Sequence, residues 1–188
     1  MPKIYIIAGS NGSGKTTLAN TLLPEFLHCK EFVNADLIAA GLSPFNVESV
    51  ALQAGRLMLE RISDLAKRWQ DFAFETTLST LSYAEHIKKW REAGYEVHLI
   101  FLWLDSVEIS IERVKCRVAS GGHNIPEATI RRRYQRGLHN FFHIYKNMVT
   151  SWEVYDNSSL ETVSLVSAHS NNNLRIYNED IWNKIRNL

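Results

Sequence analysis

Apolar residues along this chain follow two patterns in turn: short unbroken runs, and longer stretches spaced for one face of a helix. The run Lys3–Ala8 is apolar at every position after its lysine, as in a strand covered on both faces of a sheet. Lys15–Leu23 reads as a helix ended by Pro24, and Glu31–Asn34 as a second, shorter strand. From Val47 the apolar positions Val50, Ala51, Ala54, Met58, Ile62 and Leu65 mark one helical face. Phe72–Glu75 is a third strand, Ser82–Glu92 a helix stopped by Gly94, and Tyr95–Leu104 the most hydrophobic strand, expected at the centre. Two more helices follow, Val107–Ala119 and Pro126 to about Val149, broken apart at Gly121-Gly122-His123, with Pro126 suited to a first turn. Trp152–Tyr155 and Val163–Ala168 read as strands, residues 169–173 as a polar turn, and Asn178 as the cap of a last helix ending near Asn187.

Strands alternating with helices predict an α/β fold with a parallel sheet. The 188 residues suit one domain, 1–188, in which the helical pair at about 107–149 is an insertion. Hydrophobic residues make up 45% and charged residues 22%, the balance of a soluble globular protein. The longest apolar run, Val97–Leu104, is broken by His98 and falls well short of the roughly 20 residues that span a bilayer, so no membrane partner is expected. Met1-Pro2-Lys3 leads straight into the first strand without a signal-peptide pattern, and Cys29 and Cys116 have neither metal-ligand nor disulfide spacing. A cytoplasmic location is the simplest reading. The net charge of +1 says little, but its distribution changes the picture. Arg113–Arg136 holds seven basic residues and one acid, which marks an anion site or a solvated helical face.

The anion is named by the segment after the first strand. Gly9, Ser10, Asn11, Gly12, Ser13, Gly14, Lys15 and Thr16 match G-x-x-x-x-G-K-[ST] at every fixed position, and Thr17 follows. Such a loop aims successive backbone N–H groups at a nucleotide phosphate, helped by the dipole of the helix it opens. Lys15 would reach the β- and γ-phosphates of ATP, and the Thr16 hydroxyl would ligate Mg²⁺. A signalling GTPase should also carry N-K-x-D, but Asn183-Lys184 is followed by Ile185-Arg186. The second and third strands instead end in Asp36 and Glu75, on the side of a parallel sheet where ligands bind. One carboxylate can serve as base for an acceptor hydroxyl and the other can sit near the metal; a helix N-cap for Asp36 and a strand-end turn for Glu75 are the plainer alternatives. The arginine block can stabilise a migrating phosphoryl group from a mobile lid hinged at Gly121-Gly122, and at most two of Arg131, Arg132 and Arg133 can point at one site.

The segments GSNGSGKTT, NADLIAAGLSP, FETTLS, RVKCRVASGGHNIPEATIRRRY and DNS, in that order, resemble the zeta toxin family of P-loop kinases. The likeness runs from Lys3 to about Ser158, and its most specific part is Gly-Gly-His-x-Ile-Pro with the following Arg-Arg-Tyr. It implies a nucleotide-kinase fold with a five-stranded parallel core and transfer of the ATP γ-phosphate to a hydroxyl of a small metabolite. UDP-N-acetylglucosamine, the acceptor of the best-known members, is a candidate, and an antitoxin is the protein partner the resemblance suggests. By residue, the family's loop lysine and threonine fall on Lys15 and Thr16, its catalytic aspartate on Asp36, its second acid on Glu75, and its lid arginines within Arg117 and Arg131–Arg133, with Arg117, Arg132 and Arg133 taken as catalytic. The well-studied toxins are longer than this chain, which leaves the acceptor open. Two other readings stay in view. A polynucleotide end is disfavoured as acceptor by the want of an aromatic-rich basic groove, and a nucleotide-dependent binding module would close its lid on another protein.

Overall fold

A computed structural model describes residues 1–187. Seven strands form one sheet in the order β2-β3-β1-β4-β5-β6-β7. β1 (Lys3–Gly9) pairs in parallel with β3 (Phe72–Thr76) on one side and β4 (Glu96–Trp103) on the other. β2 (Phe32–Val33) and β5 (Ser151–Asp156) extend the parallel core to five strands. In register, Ile6 faces both Phe74 and Leu99, so the chain ends Gly9, Val33, Thr76 and Trp103 all leave from the same edge of the sheet. β6 (Ser164–Ser170) and β7 (Asn173–Ile176) then join antiparallel.

Both faces of the parallel strands are covered. Ile4, Ile6, Phe72, Phe74, Leu99 and Phe101 pack on one side against α3 (Ala51–Lys67), α4 (Ala84–Glu92) and α6 (Glu127–His143), while Tyr5, Ile7 and Ala73 meet α1 (Lys15–Thr21) on the other. Phe74 is fully buried, and truncating such a residue to alanine costs about 3–5 kcal/mol. α5 (Val107–Ala119) and α6 share a small separate seam of Ile111, Val114, Ile125 and Ile130. Among the described residues no helix is long and apolar enough to cross a membrane.

Several predicted boundaries move, each for a physical reason. The first helix does not stop at Pro24 but widens into a π turn over Leu22–Phe26, closed by Leu27 N–H on the Leu22 carbonyl at 3.0 Å. Proline cannot donate to the carbonyl four residues back, and the wider turn removes that clash. The helix predicted from Pro126 to about Val149 ends at His143. Tyr145 turns fully inward there and donates from its hydroxyl to the Thr80 carbonyl at 2.6 Å, leaving only a short 3₁₀ turn at Tyr145–Asn147. The stretch Val47–Val50 is likewise 3₁₀, so α3 begins at Ala51. The turn at 169–173 is a hairpin instead of a plain loop: Asn171 and Asn172 both take positive φ, and β7 returns along β6. α7 (Glu179–Arg186) starts as expected, with the Asn178 side chain accepting from Ile181 N–H at 3.0 Å.

Candidate active site

The loop leaving β1 rests on three neighbours. The Ser10 hydroxyl meets that of Ser110 on α5 at 2.8 Å, and the Asn157 amide after β5 donates to the Ser13 carbonyl at 2.8 Å. A Cβ on Gly9, whose φ is +144°, would lie 2.4 Å from the Leu102 carbonyl oxygen, so only glycine lets the chain leave β1 this close to β4. Lys15 is 6% exposed and donates to the Ser10 carbonyl at 2.8 Å, with a Glu75 oxygen at 3.7 Å. Burial pushes its pKa down; Glu75 and Asp36 pull it back up, while Arg117 and Arg133 add to the depression. Five predicted residues therefore share one electrostatic neighbourhood.

Glu75 is held from two sides. One carboxylate oxygen accepts from the Thr16 hydroxyl at 2.7 Å and from the Asn34 amide at 2.8 Å. Asn34 also caps α2 (Ala35–Leu42), its carbonyl oxygen accepting from Asp36 N–H at 2.8 Å and Leu37 N–H at 3.2 Å. The cap is thus Asn34 and not Asp36, which corrects the plainer reading of Asp36 and leaves its carboxylate free. Sequence reasoning had no role for Asn34, although a cap signal stood in Asn-Ala-Asp. Asp36 is half exposed, and His123 Nε2 lies 3.6 Å from it. His123 reaches Asp36 from the turn between α5 and α6.

The arginines separate. Arg133 donates to the Asn11 side-chain oxygen at 3.3 Å, and burial lowers its pKa while Asp36 raises it. Arg117 donates to the His123 carbonyl at 3.1 Å and leaves its buried Nε without a partner among the described residues. Arg131 turns away to Glu108 and Glu127. Arg132 is exposed, is not among the residues lining the cleft, and reaches the site only through its repulsion of Arg133. Thr17 is also exposed, on the first turn of α1. Asn157 borders the loop, whereas His169 stacks on Trp152 at 5.7 Å, two strands away from β4.

Asp36, Glu75, Lys15, Asn11 and Arg133 line one cleft of about 560 Å³, whose other walls are α3 and the segment after β3. Its phosphate end fits an anion: Lys15 is nearly buried, and the Ser13 hydroxyl has no partner among the described residues. It also fits a divalent ion taking few protein ligands, since Thr16 and Glu75 already touch, while no larger His, Cys, Asp and Glu cluster suited to a metal exists among the described residues.

A sequence model of the family described as Zeta toxin matches residues 1–180. An uncharacterized protein of Haemophilus influenzae is 34% identical over 132 residues, 70% of this chain and 92% of that one. Among solved structures, AvrRxo1-ORF1:AvrRxo1-ORF2 is similar with a TM-score of 0.79 at 15% identity, covering 98% of this chain. This chain spans 63% of that one, less than two thirds. The PezAT chromosomal toxin-antitoxin system of Streptococcus pneumoniae follows at 0.60 and 16% identity, over 86% of this chain and 71% of that one. A gluconokinase from Sinorhizobium meliloti reaches 0.53 at 16% identity, over 84% and 83%. The fold is that of the P-loop kinases.

Proposed function

The chain belongs to the zeta toxin family, and from that premise we propose that it is an ATP-dependent kinase acting on a hydroxyl group of a small acceptor. The observation that carries the reading is the junction of three strand ends: Glu75 bonded to Thr16 and Asn34, Lys15 buried beside them, and the free Asp36 carboxylate lining the same cleft. Loop N–H groups and Lys15 hold the β- and γ-phosphates. Thr16 and Glu75 would hold Mg²⁺, which when bound supplies further positive charge for the phosphates. Asp36 receives the proton of the acceptor hydroxyl as its oxygen bonds to the γ-phosphorus. The bond from that phosphorus to the β–γ bridging oxygen breaks, leaving ADP and a phosphate ester. Arg133 and Arg117, whose charges act on Lys15, would neutralise charge on the migrating group. We assign the C-terminal half of α5, the turn after it and the first turn of α6 as a lid, because they share an apolar seam separate from the main core, in which the rest of α6 is anchored.

The test is a transfer assay with γ-labelled ATP, Mg²⁺ and a metabolite pool that includes UDP-N-acetylglucosamine, products being resolved by mass. Wild type is expected to yield a phosphorylated metabolite, and Lys15→Ala to lose at least about a thousandfold in rate. Hydrolysis to ADP with no phosphorylated product would overturn the transfer reading. An antitoxin-type partner belongs to the same proposal, and a protein that covers the cleft should inhibit that transfer.

A further inference from the structure

A second cavity, of about 320 Å³, lies between α6 and α7, and none of its lining residues lines the nucleotide cleft. Along α6 it follows Arg131, Gln135, Leu138, His139, Phe142 and His143, the side of the helix turned away from Arg133 and the phosphate loop. Val107 at the start of α5 and Ile185 of α7 complete an apolar floor. That floor is already well packed. Leu138 is 6% and Ile185 1% exposed, and Phe142 lies against Trp182 with ring centroids 5.5 Å apart.

What remains open is cationic. Arg131, at the lid end, is taken up by Glu108 and Glu127. At the other end α6 stops at His143 and α7 at Arg186. Among the described residues no acid lines the cavity and Arg186 makes no ion pair, whereas Lys184, two residues earlier, is engaged by Asp105. His143 donates from Nδ1 to the His139 carbonyl at 2.9 Å, and the two imidazole rings stack with centroids 4.2 Å apart. Lys146, three residues past the end of α6, holds its ammonium 4.9 Å from the centre of the Phe142 ring. Burial pushes the Lys146 pKa down, and the Arg186 charge pushes it further the same way. A cation in a last helical turn is explained by the helix dipole. That accounts for His143 and Arg186 but not for Lys146, which lies beyond the helix and feels a like charge.

We infer that this cavity is a ligand site separate from the nucleotide cleft, and that it takes a small organic anion: an apolar chain or ring lies on the floor of Leu138 and Phe142, and a carboxylate or phosphate sits between Arg186 and Lys146. Such an anion gives both cations a partner and offsets their repulsion. The cavity falls at the lower end of small-ligand sites, roughly 300–1,000 Å³. A partner helix fits less well. Docking of that kind needs exposed apolar anchors, and every large apolar side chain here is buried or half-buried. The inference stands apart from the kinase reading, since no residue of the cleft enters it.

The test is calorimetric titration of the full chain, with and without a saturating nonhydrolysable ATP analogue and Mg²⁺ to occupy the phosphate loop. The probes are octanoate with octanol, phenylacetate with 2-phenylethanol, and phenyl phosphate with phenol. Acetate and inorganic phosphate serve as anions without an apolar body. With the analogue present, at least one amphipathic anion should bind about tenfold or more tightly than its neutral partner and than the bare anions. The carboxylate and phosphate arms show which head group is taken. Arg186→Gln should raise its Kd by about ten- to a hundredfold, with partial recovery in Arg186→Lys, and Lys146→Gln should raise it by about three- to tenfold. Arg136→Gln, at an exposed position of the same helix outside the cavity, should leave Kd unchanged. Neutral probes binding as tightly as their anions, loss of binding when the analogue is added, wild-type Kd in Arg186→Gln, or no probe binding would each overturn the inference. So would an acidic amphipathic helical peptide that binds more tightly than every small probe, which would give the groove to a partner protein.

Discussion

At the phosphate end of the cleft Lys15 is 6% exposed and hydrogen-bonded, and Glu75 accepts from two side chains; on the α3 wall Leu52 is 85% exposed and Arg56 has no partner among the described residues. The first end is largely satisfied by the protein itself, with a carbonyl and a carboxylate beside the ammonium that a phosphate would otherwise meet, and the Ser13 hydroxyl left open among the described residues. The second is left for a ligand to complete. Phosphate is a single chemical group, so its site can be assembled in advance from a loop, a helix start and a carboxylate. An acceptor is recognised by shape and by one or two charges, which an open helix face supplies. Between the two ends stands Asp36, half exposed and attracting both Lys15 and Arg133.

That intermediate position gives the largest expected effect. Asp36→Asn keeps the size of the side chain and the Asn34 cap of α2, which engages the backbone of residue 36 and not its carboxylate. It removes the proton acceptor, so kcat for transfer should fall by about 10²–10⁴. Affinity for ATP, measured by titration, should stay within about threefold of wild type. If ATP affinity falls in step with kcat, Asp36 belongs to the phosphate end and the proposed division of the cleft breaks.

Asn34 gives the next effect and sharpens the comparison, because it serves both the fold and the site. Asn34→Asp keeps an oxygen to cap α2 but replaces the amide that donates to Glu75 with a second carboxylate. Transfer should fall roughly tenfold, since like charges at hydrogen-bonding distance push Glu75 away from Thr16. Asn34→Ala loses the cap as well, which costs about 1 kcal/mol and should lower Tm by about 2–4 °C. Equal transfer rates in Asn34→Asp and wild type would show that Thr16 alone orients Glu75.

The contrast between the two ends also explains what could be read from the residues. Loop, central strand and the starts of the basic helices were legible because each is local: a fixed glycine and lysine spacing, a nearly continuous apolar run, and a helix start of known chemistry. β7 was not, because all four of its residues are exposed and show no alternation. Helical spacing could say that Arg131–Arg133 point in different directions but not which way each goes. That was decided by Asn11, 122 residues from Arg133, and by Glu108 and Glu127, which hold Arg131. Glu127, four residues before Arg131, was the one local hint. The acceptor face was the least legible part. Leu52 and Gly55 read as ordinary helix residues until α3 is set against the cleft, and Arg56 reads more readily as a surface arginine than as a residue facing the substrate.

The smallest effect comes from the contact that crosses between lid and sheet. His123 belongs to the turn joining α5 and α6, and its ring lies 3.6 Å from the Asp36 carboxylate, with both groups partly in solvent. A polar contact so exposed contributes at most about 1 kcal/mol, a factor of about five in rate or affinity. Asp36 would keep the attraction of Lys15 and Arg133 after its loss. His123→Gln should therefore lower kcat/KM for transfer by about two- to fivefold, and the gap from wild type should narrow in about 0.5 M salt, where exposed charges are screened. A loss as large as that of Asp36→Asn, unmoved by salt, would mean that His123 takes part in the proton transfer itself. In that event the lid would supply half of the base, and the division between a finished phosphate end and an open acceptor end would have to be drawn through the Asp36–His123 pair.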